Sequence, residues 1–104
     1  WSKLSIKRGK PTSYKKTLEM EASAYSSYES GTHTARGNAL RRGYVSVDPN
    51  VIPLGTEVYV EGYGYAVADD TGGAIIGHRI DLAMDSYNEA IQFGRRTVKV
   101  YILD

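Results

Sequence analysis

Residues 56–73 read TEVYVEGYGYAVADDTGG, and their pattern decides the fold class. Thr56 to Val60 alternates polar and apolar side chains, the period of a half-buried strand. Gly62-Tyr63-Gly64 allows the tight reversal of a hairpin, and Tyr65 to Ala68 makes a returning strand. That strand runs into two acids, Asp69 and Asp70, and then Thr71-Gly72-Gly73.

Outward from this unit the same period recurs. From Leu18 onward, Met20, Ala22 and Ala24 alternate with Glu21, Ser23 and Tyr25. Tyr44 to Val47 is a short strand stopped by Asp48-Pro49-Asn50, where Pro49 lacks an amide donor. Ile52-Pro53-Leu54-Gly55 is a further turn, and His78 to Met84 a further strand. Thr97 to Leu103 closes the chain with Val98, Val100 and Ile102 on one strand face. One helix is expected over Tyr87 to Phe93, burying Ala90 and Phe93. Ser86 and Glu89 have capping-box spacing, and Gly94 suits the C-terminal position. Ser30 to Asn38 reads as a loop. Trp1 to Lys16 is basic and polar, so residues 1–17 are expected to form an arm or linker and residues 18–104 the domain. Six or seven short strands and one short helix describe a compact, mainly β barrel.

Bulk properties narrow the function. At 104 residues the chain is one domain, and its 13 Lys plus Arg against 12 Asp plus Glu give a net charge of +1. That balance supplies no electrostatic reason for nucleic acid as a ligand. No apolar run approaches the roughly 18 residues of a spanning helix. No signal peptide is visible; the chain opens at Trp1, so it reads as an excised piece in which a missing leader says little. With no cysteine there are no disulfides and no thiolate nucleophiles, and His33 and His78 are too few for zinc. No metal and no cofactor is therefore expected.

Carboxylates are left to carry chemistry. Asp70 ends a strand before two glycines, where backbone can approach a ligand closely. Asp81 lies between Ile80 and Leu82 and points away from the face they share with Met84. If its own face is a groove, desolvation favours its protonated form, as a general acid requires. Asp48 is explained by its turn, Asp69 should face away from Asp70, and Asp85 suits a helix start. Arg41-Arg42 and Arg95-Arg96 read as surface pairs, one of which could hold a substrate carboxylate. Tyr63 and Tyr65 flank the hairpin and are ordinary strand residues that could also stack on sugars.

These segments together resemble the 3D domain family. The resemblance is carried by Glu21-Ala22-Ser23-Ala24-Tyr25, Arg42-Gly43-Tyr44-Val45-Ser46-Val47-Asp48-Pro49 and Ile52-Pro53-Leu54-Gly55-Thr56. Asp70-Thr71-Gly72-Gly73-Ala74-Ile75, Arg79-Ile80-Asp81 and Phe93-Gly94-Arg95-Arg96 complete it, over roughly Met20 to Leu103. The family, named for three aspartates, occurs in Gram-positive cell-wall proteins, including the stationary-phase survival group. The resemblance implies a double-psi β-barrel, shared with the catalytic domain of the lytic transglycosylase MltA. It implies Asp81 as catalytic acid/base, Asp70 as its partner and Asp48 as the third aspartate, ordering the groove. Substrate contacts are implied for Thr71, Gly72, Gly73, Tyr25 and Arg79. Ile76 stands where the family often has Lys, a departure from the family pattern.

The resemblance further implies cleavage of peptidoglycan glycan strands outside the cytoplasm, in a wall-bound or membrane-anchored protein. Anionic wall polymers are a second possible partner, through the basic arm. Two other readings stand beside it. Asp70-Thr71-Gly72 is also the triad of dimeric aspartic proteases, though few residues come after it here. Double-psi barrels of the expansin and barwin type bind or loosen glycans without cutting them.

Overall fold

A computed structural model describes residues 11–26, 33–39 and 41–103. Residues 1–10 of the expected arm and 30–32 of the expected loop lie outside that description. Six strands appear: β1 (Lys16–Ser26), β2 (Tyr44–Val47), β3 (Glu57–Val60), β4 (Gly64–Asp70), β5 (Arg79–Met84) and β6 (Arg96–Ile102). Among the described residues one helix, α1 (Tyr87–Phe93), connects β5 to β6.

The strands close into a barrel in the order β1-β5-β2-β4-β3-β6. β1 with β5 and β2 with β4 run parallel, and the four other pairings are antiparallel. This is the double-psi β-barrel, mainly β with one short helix. Closure leaves no strand edge unpaired. Alternation sends one face of each strand inward: Met20 and Ala22, Val45 and Val47, Val58 and Val60, Ile80 and Leu82, Val98 and Val100 form one buried cluster. Each large aliphatic side chain so buried contributes about 2 kcal/mol of transfer free energy.

The hairpin forms where the glycines allow it. Gly62 and Gly64 take φ of +83° and +122°, and Tyr63 N donates to Val60 O at 2.9 Å. α1 begins as its sequence requires: Ser86 Oγ accepts from Glu89 N at 3.1 Å. The reciprocal bond falls one residue earlier than a capping box predicts, from Asp85 N to Glu89 Oε1 at 3.1 Å. Ala90 is buried, while Phe93 packs partly against the core with the Arg96 guanidinium 4.1 Å from its ring centroid.

Candidate functional site

Registered pairing brings the two acids onto one line. Ser23 of β1 lies opposite Asp81 of β5, Asp81 opposite Ser46 of β2, and Ser46 opposite Asp70 of β4. Their strand neighbours Ala22, Ile80, Leu82, Val45 and Val47 fill the barrel, so the row sits on the outer side. Asp70 and Asp81 are two strand spacings apart, about 10 Å between Cα atoms.

A bulge in β4 creates this alignment. Val45 pairs with Ala68 but Ser46 pairs with Asp70, so Asp69 is the extra residue. Asp69 is fully buried and accepts hydrogen bonds from Thr34 Oγ1 (2.7 Å), Asn38 Nδ2 (2.7 Å) and Arg36 Nη1 (2.9 Å). It thereby fixes the 33–39 turn, closed by a bridge between His33 and Ala39. That turn delivers Ala35 N to Asp70 Oδ1 at 2.8 Å, beside Thr71 N at 2.9 Å. The structural role read for Asp69 and its divergence from Asp70 both have their cause here.

Asp81 Oδ1 accepts from Ser23 Oγ at 2.9 Å, and Ser23 Oγ accepts in turn from Arg79 Nη2 at 3.4 Å. Arg79 Nη1 reaches Ala74 O at 3.4 Å, and its buried Nε has no hydrogen-bond partner among the described residues. Tyr25 belongs to the same face, packed against Ala83 and 6% exposed, with Ser46 Oγ donating to its hydroxyl at 3.4 Å. Burial first, and then the charges of Asp70 and Asp81, push its phenol up to about 12. Both carboxylates thus lie within electrostatic reach of one hydroxyl.

Asp48 is not in this row. It ends β2, where Oδ1 accepts from Asn50 N at 3.0 Å and Oδ2 from Gly77 N at 2.8 Å. Those amides, Gly77 foremost, hold its carboxyl below the ordinary range. The turn role expected of Asp48 is present, and it also ties the β2 end to the segment entering β5, with Gly77 at φ +72°. Thr71 and Gly73 are exposed, and Gly72 O accepts from Ile75 N at 3.0 Å in the turn between. Ile76 is 66% exposed.

The sequence marks neither Ser23 nor Ser46 as a site residue, and for Tyr63 it offers sugar stacking rather than a scaffold role. Tyr63 uses its hydroxyl inward, donating to Ala83 O at 2.6 Å and accepting from Gly43 N at 2.8 Å, with the Arg42 guanidinium 4.5 Å from its ring centroid. Ser46 had one signal, as the polar residue in Val45-Ser46-Val47. A separate cavity of about 360 Å3 is lined by Arg41, Tyr44, Glu57, Tyr65 and Val67 among others, and by none of the three aspartates.

A family model described as 3D domain matches residues 44–104. YabE of Bacillus subtilis, named as a candidate cell wall shaping protein, is 45% identical over 95 residues, covering 86% of this chain and 23% of its own length. The cell wall-binding protein YocH of the same organism is 46% identical over 95 residues, covering 86% and 33%. This chain therefore spans about a quarter to a third of these relatives. Among solved structures, Escherichia coli MltA superposes with a TM-score of 0.59 at 25% identity over 70% of this chain and 27% of its own. A complex of MltA with chitohexaose gives a TM-score of 0.57 at 23% identity, over 70% and 28%.

Proposed function

The chain belongs to the 3D domain family, and from that premise we propose that it is a peptidoglycan lytic transglycosylase. The reading has it cleave the β-1,4 bond between N-acetylmuramic acid and N-acetylglucosamine and leave a 1,6-anhydro end. The observation that carries this reading is the row Asp81–Ser46–Asp70, two acids on one outer barrel face with a single serine between them. The likeness to MltA and to relatives named for the cell wall points the same way, toward peptidoglycan outside the cytoplasm.

In this reading Asp81 carries a proton and donates it to the glycosidic oxygen as the C1–O bond breaks. The muramoyl C6 hydroxyl attacks C1, and its proton passes to the Asp81 carboxylate, restoring the acid without consuming water. Because nucleophile and electrophile belong to one sugar, proximity replaces the second protein group that hydrolases use. Asp70 would raise the proton affinity of Asp81. Asp48 acts from outside the row, holding the turn that leads into β5. Thr71, Gly72, Gly73 and Arg79 border the acids and would contact the strand. Tyr25 would act from beneath as a neutral hydroxyl.

Mass spectrometry of sacculus digests tests this. Asp81→Asn should lower release of anhydro-muropeptides by about 10²-fold or more, the usual worth of a general acid. Wild-type release by that variant would exclude the role. A second reading, a binding module without turnover, is favoured by the Ser23 bond to Asp81, which suits a carboxylate that stays charged. Retention on sacculi with no soluble product after long incubation would select it.

A further inference from the structure

The cavity beside the acid row has charges of both signs on opposite flanks. Arg41 and Arg42 lie just before β2, Glu57 opens β3, and β4 runs between those strands. The flanks are thus two strand spacings apart, about 10 Å. Tyr44 and Val67, a registered pair, belong to the lining and stand two residues before Ser46 and three before Asp70. The cavity lining therefore begins about 7 Å along β2 from Ser46, the middle of the acid row.

The two arginines differ in their freedom. Arg42 is held: it donates to Tyr63 O at 3.3 Å, contacts Met84 Sδ at 3.3 Å and covers the Tyr63 ring. Arg41 is exposed, with its guanidinium 5.4 Å from the Tyr44 ring centroid. Neither ion pair found among the described residues, Arg36–Asp69 or Arg95–Glu21, involves it.

A neutral sugar makes no use of separated charges, and a polyphosphate would be repelled by Glu57. A short peptide carrying carboxylates and an ammonium group matches both flanks. We propose that this cavity is a subsite for the peptide stem of a glycan strand, with Arg41 holding a stem carboxylate and Glu57 a stem ammonium. The inference rests on the peptidoglycan reading and adds selection for peptide-bearing strands.

Binding isotherms of the 104-residue chain on sacculi freed of teichoic acid, with and without amidase removal of the stems, test it. Wild type should bind intact sacculi about 10-fold more tightly than stripped ones, and Arg41→Gln or Glu57→Gln should cut that preference to about 3-fold or less. Affinity for stripped strands should not change in either variant. Equal wild-type affinity for both substrates, or equal loss on both in the variants, overturns the subsite alone. A preference seen only on sacculi that retain teichoic acid also overturns it, in favour of a phosphate ligand. Binding to neither substrate overturns the wall reading and this inference with it.

Discussion

Tyr25 shows how a single buried hydroxyl reports on the acids around it. Its phenol is raised to about 12, against about 10 for an unfolded tyrosine, so the folded state favours the neutral form. The resulting stability is complete below pH 10 and is lost as pH rises through 12. That interval is worth about 2 kcal/mol after solvent screening. Thermal melts between pH 9 and 12 should show a shallower alkaline decline for Tyr25→Phe than for wild type. Asp48 has the opposite sign. Its depressed pKa gives stability that is present above about pH 4 and lost as pH falls through the folded value. Asp48→Asn should flatten the acid limb of the same curve. Two glycines separate scaffold from contact surface. Gly77 sits at φ +72°, so Gly77→Ala should destabilise by about 1–2 kcal/mol in urea unfolding. Gly73 has open space around a Cβ and no positive φ, so Gly73→Ala should change stability by less than about 0.5 kcal/mol. A drop in strand affinity in that second variant would then report a direct backbone contact.

At the level of elements, the β4 bulge and the 33–39 turn act as one unit. Asp69 leaves the ladder to bind three side chains of that turn, and the turn returns an amide to Asp70. Asp69→Ala removes three acceptor contacts from a buried position, with an expected loss of about 2–4 kcal/mol. Hydrogen exchange should locate that loss in residues 33–39 and the end of β4, whereas Arg36→Ala should cost about 1 kcal/mol because its side chain is 45% exposed. Equal protection of the turn in wild type and Asp69→Ala would remove Asp69 from this role.

At the scale of the whole molecule, closure couples the site to the core. Asp81 is flanked on β5 by Ile80 and Leu82, both fully buried, and β5 pairs with β1 and β2. Leu82→Ala should cost about 3–4 kcal/mol in chemical unfolding and, on the proposed reading, lower anhydro-muropeptide release with it, since the cavity loosens the strand that holds Asp81. Ser23 meets Asp81 across 58 positions of chain, and both parallel pairings are non-local. Refolding in stopped flow should accordingly fall in the millisecond-to-second range of β-rich topologies.

The individual elements are legible in the chain alone. Period-two alternation located the strands, Gly62 and Gly64 the hairpin, and Ser86 with Glu89 the helix start, because these depend on neighbours a few residues away. It also singled out Asp70 and Asp81 by their strand positions, and the family resemblance carried the barrel. Which residues stand beside one another follows from the closed barrel. That Ser46 separates the two acids, that Asp69 is the bulged residue, that Asp48 caps Gly77, and that Arg41 and Glu57 flank one cavity all depend on pairings between distant strands. Register is set by packing of the closed barrel as a whole, and no local pattern in the chain encodes it.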